Sequence, residues 1–201
     1  MLELWGDHLS GNCYKVEMLF HFLDIPYKFI AVDTKKKETQ SLSFLAHNPN
    51  GKIPLVLLEN GNSLWESNAI LHYFAEGTSF LPTDSFEKAK VLQWQFFEQY
   101  SHEPYIAVAR YIQFYLGLPE NRKEEYESKK TGGRKALAVM ESHLSKYAYF
   151  VGKQMSIADI SLYAYTHVAE EGGFSLAEYP AIQAWIKRIE TTPGYTKMQR
   201  N

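Results

Sequence analysis

Leu9-Ser10-Gly11-Asn12-Cys13-Tyr14-Lys15-Val16 stands between two different apolar patterns. Before it, Leu2 and Leu4 alternate with Glu3 and lead to Trp5. After it, Val16, Leu19, Phe20 and Leu23 recur at helical spacing. That order predicts a buried strand, a tight polar turn, and a helix that opens inside the stretch. A helix start carries unpaired N–H groups and the positive end of the macrodipole. An anion there is stabilised, and a thiol there has its pKa lowered. Ser10 adds a hydroxyl and Asn12 an amide that can donate, so the turn could hold a small thiol as its thiolate. Ser10 also reads as a plain N-cap and Asn12 as a residue that tolerates a turn. The residues of the turn alone leave both readings open.

Outward from that turn, the first helix is expected to stop near Asp24-Ile25-Pro26. Tyr27 to Val32 alternates aromatic and β-branched residues and reads as a second strand, parallel to the first through a right-handed crossover. Lys35-Lys36-Lys37-Glu38 is a solvated loop, and Ser41 to His47 a short helix. Asn48-Pro49-Asn50-Gly51 carries two turn dipeptides, and a strand begins at or just after Pro54. Asn60-Gly61 then makes a hairpin to Ser63-Leu64-Trp65, so these two strands are antiparallel. Glu66-Ser67-Asn68 opens another helix. The order β-α-β-α-β-β-α in about eighty residues is a thioredoxin-like arrangement.

Past a turn-rich linker, the chain has helical period throughout. Phe86 to about Leu116 reads as one aromatic helix or a kinked pair, with Pro104 at the kink. Asn121 to about Tyr147 is the next helix, and Gly132-Gly133 inside it either bends it or permits close packing. Ser156-Ile157-Ala158-Asp159 has the form of a capping box, with Met155 and Ile160 placed as a hydrophobic staple and Gly172-Gly173 as the stop. Tyr179-Pro180 opens a last helix that ends before Pro193. The expected domains are 1–78, thioredoxin-like, a linker at 79–85, and an all-helical domain at 86–201. The fold class is therefore α/β plus all-α.

With 201 residues, 45% of them hydrophobic, the chain can bury a real core. A net charge of -2 gives no general attraction for nucleic acid. The single cysteine, Cys13, excludes an internal disulfide framework and a multi-cysteine metal site. No basic region with a long apolar run opens the chain, and no stretch has membrane-spanning length. A cytoplasmic protein with no membrane, nucleic-acid or metal partner is expected.

Four segments together resemble the cytosolic glutathione transferases. Ser10-Gly11-Asn12-Cys13-Tyr14-Lys15-Val16 is similar to the active-site turn of their serine-type, theta/nu-like bacterial members. Phe44 to Pro54 resembles their F-L-x-x-N-P-x-G-K-[IV]-P segment, and Glu66-Ser67-Asn68-Ala69-Ile70 their E-S-x-A-I motif. Ser156 to Asp159 resembles the capping box of their helical domain. The resemblance implies a cis peptide between Ile53 and Pro54, which turns the backbone of Ile53 toward the cysteinyl part of glutathione. It gives Glu66 and Ser67 the γ-glutamyl end, Lys52 the ligand backbone or glycyl carboxylate, and the Thr39-Gln40 region a weaker polar contact. Ser10 aligns with the catalytic hydroxyl that stabilises the thiolate, and Asn12 is the second donor.

The resemblance further implies glutathione as co-substrate, a small apolar electrophile or peroxide as its partner, and a homodimer. It places the second substrate between the halves, near Tyr14, His102, Tyr105 and Tyr111. Aromatic residues at helical spacing are also what a core contains. Two other functions stay open. One is a binding or regulatory module without the chemistry. The other is glutathione-dependent disulfide reduction, which needs an exposed, thiolate-like Cys13. Cys13 reads better as a small packed residue, because it falls inside the first helical turn.

Overall fold

The computed structural model describes residues 1–199. The chain forms two compact units, one of Met1–Glu76 joined by the stretch from Pro193 onward, the other of Gly77–Thr192.

The first unit is built on a four-stranded sheet of order β2-β1-β3-β4, with β1 at Glu3–Gly6, β2 at Lys28–Ala31, β3 at Leu55–Leu57 and β4 at Ser63–Trp65. β1 runs parallel to β2 and antiparallel to β3, and β3 pairs antiparallel with β4, as the crossover and the Asn-Gly hairpin require. Leu4 lies opposite Val56, so both point to one face of the sheet. There they pack with Val16 and Phe20 of α1 (Gly11–Phe22) and Ile70 of α3 (Ser67–Ala75). Leu55 points to the other face and packs with Val32 and with Phe44 of the short α2 (Leu42–Leu45). Period-2 alternation in the strands thus assigns one helix layer to each side.

The second unit is helical. α4 (Ser85–Phe97) passes through a π turn at Glu98–His102 into α5 (Glu103–Arg110) and a second π turn at Tyr111–Tyr115. Pro104 stands just inside α5 and has no N–H to give the preceding turn, so the π turn falls where the expected kink lies. α6 (Lys123–Leu144), α7 (Ile157–Thr166) and α8 (Pro180–Glu190) complete the unit. The glycine pair in α6 serves close packing. A Cβ on Gly132 would lie 2.2 Å from the Tyr105 ring, and one on Gly133 2.2 Å from the Phe174 ring.

The capping box is present at the start of α7. Asp159 is fully buried and accepts four hydrogen bonds, from Ser156 N, Ser156 Oγ, Phe150 N and Trp185 Nε1. Burial pushes its carboxyl up to about 6 against the pull of those donors. Asp159→Ala should lower the stability to urea by about 3 kcal/mol, since it strands four buried donors, and Ser156→Ala by about 1 kcal/mol. The raised pKa means that folding favours the protonated acid. The stability difference between wild type and Asp159→Ala should therefore widen as the pH falls from neutral through about 6.

Candidate functional site

The site is organised by the start of α1. Ser10 is its N-cap, in extended backbone, and its Oγ accepts the Cys13 N–H at 3.4 Å. An oxygen that accepts one bond keeps its own proton for another acceptor. Upstream, Asp7 shapes the approach: its Oδ1 takes the Leu9 N–H and its carbonyl takes the Ser10 N–H, both at 2.9 Å. The turn sits hard against the end of β1. A Cβ at Gly6 would stand 2.5 Å from the Cys13 Sγ, so Gly6 must be bare for α1 to begin where it does.

The start of α3 meets that of α1. Asn12 Oδ1 accepts from Lys15 Nζ at 2.7 Å and from Ser67 Oγ at 3.1 Å, and Lys15 Nζ also reaches Ser67 Oγ at 3.5 Å. Lys15 is fully buried. Ser67, the first residue of α3, is buried as well, and the N–H groups of that first turn have no carbonyl one turn back to bond. Before it, Glu66 is held at φ 69 and ψ 109, which an L residue rarely adopts. Such a conformation costs on the order of 1–3 kcal/mol and tends to be kept where a site needs it. Its exposed carboxylate accepts from Asn50 Nδ2 at 3.2 Å.

Asn50 belongs to the turn that leads into β3. Asn48, almost fully buried, ties that turn together: its Oδ1 accepts the Asn50 N–H at 3.0 Å and its Nδ2 donates to the Lys52 carbonyl at 2.6 Å. Gln40 Nε2 donates to the Gly51 carbonyl at 3.2 Å, so Gln40 braces the same turn. The peptide between Ile53 and Pro54 is cis, and the Lys52 side chain is exposed. Hydrogen bonds join Asn12, Lys15 and Ser67; Ser10 caps the helix that carries Asn12, and Glu66, next to Ser67, is linked by Asn50 to the turn that carries Lys52, Ile53 and Pro54. Two residues of this arrangement were not singled out by the sequence. Lys15 stands at i+3 from Asn12 on a helix, a spacing that shares a face, and Asn48 opens an Asn-Pro turn.

The family model for the N-terminal domain of glutathione S-transferases matches residues 1–76, and that for their C-terminal domain matches residues 94–193. A glutathione S-transferase from Pseudomonas fluorescens Pf-5, known from its crystal structure, is 56% identical, with 99% of each chain covered and a TM-score of 0.98. The chain belongs to the glutathione S-transferase family. Disulfide-bond oxidoreductase YfcG of Escherichia coli is 29% identical over 192 residues, 92% of this chain and 88% of that one. The glutathione transferase URE2P6 of Phanerochaete chrysosporium, solved in complex with oxidized glutathione, is 27% identical, with a TM-score of 0.86 and 96% and 92% of the two chains covered.

In this glutathione S-transferase family member, the four residues expected near a second-substrate pocket have different surroundings, each within its own unit. Tyr14 is buried in the first unit and its hydroxyl donates to the Thr196 carbonyl at 2.6 Å. α1 is buried on nearly every side, so an aromatic residue there belongs to the core. His102 is fully buried in the second unit, with Nε2 2.9 Å from Thr166 Oγ1. It lies on the inner stripe of the long helix with Gln95, whose amide donates to Ser161 Oγ at 3.2 Å. Both polar residues bond hydroxyls of α7, His102 through Nε2, within the second unit. Tyr105 covers Gly132 beside a groove of about 140 Å³. Tyr111, exposed, lines a separate groove of about 400 Å³ with Pro104, Ala107 and Val108.

Cys13 is fully buried, and burial pushes its thiol up to about 12. The native thiol should resist iodoacetamide at pH 8, where only about one in ten thousand is ionised, and react fully after unfolding. Mass spectrometry of the two samples checks this.

Proposed function

We propose that the protein activates the thiol of glutathione as thiolate for attack on a small apolar electrophile. The observation that carries this reading is the meeting of the two helix starts: Ser67 Oγ donates to Asn12 Oδ1 at 3.1 Å. The thiol donors Ser10 and Asn12 thereby adjoin the N–H groups of α3, which suit the γ-glutamyl carboxylate. Glu66 suits the ammonium of the same end. The backbone of Ile53 pairs with the cysteinyl part as a strand would, and Lys52 and Gln40 serve the glycyl end.

The magnitudes agree with this assignment. A free thiol of pKa about 8.5 is a few per cent ionised at neutral pH. A drop of about two units makes thiolate dominant and requires about 2.7 kcal/mol. Charge-assisted bonds from the Ser10 hydroxyl and the Asn12 amide, with the helix terminus behind them, supply that much. Tyr111 keeps an accessible ring on a groove lined by Pro104, Ala107 and Val108 together with Glu103, Arg122 and Glu125, and is the candidate for holding the electrophile.

A second reading is favoured by the kinship with YfcG, named a disulfide-bond oxidoreductase. Here the buried Cys13 leaves the attacking thiolate to glutathione itself, so the same Ser10 and Asn12 would serve. Homodimer formation is proposed through Leu92, Phe96 and Tyr100, which follow at i, i+4 and i+8 on the long helix and are exposed.

Calorimetric titration with reduced glutathione should give saturable binding that weakens about tenfold or more in Ser67→Ala. Ser10→Ala combined with Asn12→Ala should lower turnover of an activated aryl halide by about 10²-fold or more. Unchanged turnover rejects the assigned donors. Sedimentation should give a dimer for wild type and a monomer for Phe96→Glu.

A further inference from the structure

We propose that His8 is a positioning residue of the thiolate site: with its ring edge on the buried Glu17 and its ring face on Phe29, it holds the Asp7–Ser10 turn against the body of α1 and so sets where the Ser10 hydroxyl points. This rests on the glutathione site proposed above. Asp7 braces the turn with two bonds, to the Leu9 and Ser10 N–H groups, that begin and end inside it. His8 carries the turn outward. Its Nδ1 lies 3.2 and 3.4 Å from the two carboxylate oxygens of Glu17. An ionised carboxylate only accepts, so Nδ1 bears the proton whether the ring is charged or neutral. The ring stacks on Phe29 of β2, with centroids 3.6 Å apart and planes at 15°. Edge and face are both fixed. Glu17 stands seven residues past Ser10 on α1, about 10 Å along the helix axis. The pair therefore ties the turn to the second turn of the helix that it starts, and to the edge strand of the sheet.

A buried carboxylate is costly, and an apolar side chain would fill the same place on α1 without that cost. Burial pushes the Glu17 carboxyl up, and the His8 ring draws it back. Tyr27 is the other titratable group on this carboxylate, donating at 3.4 Å. Burial and the carboxylate beside it push the Tyr27 hydroxyl up, so it stays a donor. What the His8–Glu17 pair fixes is the approach to Ser10, two residues on. The cap bond from Cys13 N to Ser10 Oγ is long, 3.4 Å, and holds that hydroxyl weakly. A misplacement of about 1 Å near a reacting group can cost about 10²-fold in rate. Asn12 lies inside α1, and its place does not depend on the tilt of the turn.

The test compares wild type, His8→Phe, His8→Asn, Ser10→Ala and the double variant His8→Phe with Ser10→Ala. Phe keeps the stack on Phe29 and removes the donor. Asn loses the ring and puts an amide N–H where Nδ1 stands. Calorimetry first establishes binding of reduced glutathione, and ultraviolet difference absorbance then follows the bound thiol against pH. In His8→Phe the thiol midpoint should rise by about one unit. kcat toward an activated aryl halide should fall about tenfold below that midpoint, while KM for glutathione changes far less. His8→Asn should recover most of that loss. Because His8 acts through Ser10, adding His8→Phe to Ser10→Ala should move the midpoint little further. A His8→Phe protein that binds glutathione with an unshifted midpoint overturns the proposal, as does His8→Asn as impaired as His8→Phe, or additive effects in the double variant. Wild type that binds no glutathione overturns the site reading, and this inference with it. If His8→Phe does not fold, nitrogen magnetic resonance of the neutral His8 ring in wild type decides. Its proton should stand on Nδ1 and exchange more slowly once glutathione is bound. A ring protonated on Nε2 instead, or an exchange rate indifferent to glutathione, refutes the role.

Discussion

The contact between Gly6 and Cys13 sets where everything else can be. β1 lies inside the sheet, between β2 and β3, and its last residue carries no side chain. The Cys13 sulfur occupies the space a Cβ would need. The first turn of α1 is thereby seated at the carboxyl end of an inner strand, where α/β sheets generally place their ligands. Ser10 and Asn12 take their positions from that seat. α3 comes to the same place because Ile70, one turn into it, packs with Leu4 and Val56 on the sheet face that also receives Val16. Apolar packing under the sheet and hydrogen bonding above it are two consequences of one close approach.

Features governed by neighbours in sequence are legible in the chain itself. The order of elements in the first unit, the parallel and antiparallel pairings and the capping box at Ser156 follow from periodicity, turn chemistry and cap geometry. The cis peptide before Pro54 followed from the resemblance of that segment to the family. Features governed by distant partners were not legible. Nothing near Tyr14 announces that its hydroxyl ends on a carbonyl 182 residues away. His102 is polar and so reads as available, yet its stripe faces α7, where its Nε2 lies 2.9 Å from Thr166 Oγ1. The two glycines of α6 are compatible in sequence with a bend or a close approach, and the Tyr105 and Phe174 rings lying over them decide for the close approach.

Lys15 and His102 show how the same observation, a buried polar group, carries different meanings. A buried polar atom must find a partner or cost free energy. His102 and Gln95 find hydroxyls on a neighbouring helix, and the result is a specific helix pairing within a core. Lys15 finds two groups that themselves stand at helix starts, where the backbone leaves N–H groups unpaired. The first arrangement ties one helix to another within the second unit. The second joins the starts of two helices, and on that meeting the proposed glutathione site rests.

The Tyr14–Thr196 hydrogen bond has a consequence for the order in which this protein can be made. The first unit is discontinuous in sequence, for the stretch from Pro193 returns to it after the whole helical unit has been laid down. The Tyr14 hydroxyl of α1 donates to the Thr196 carbonyl, a bond that needs residue 196 to be present. During synthesis the nascent sheet and its helices emerge first, and this hydrogen bond forms only after residues 77–192 have followed them. A fragment ending at Glu76 would carry every residue proposed here to hold glutathione, and would still lack the strap that closes the interior beneath them.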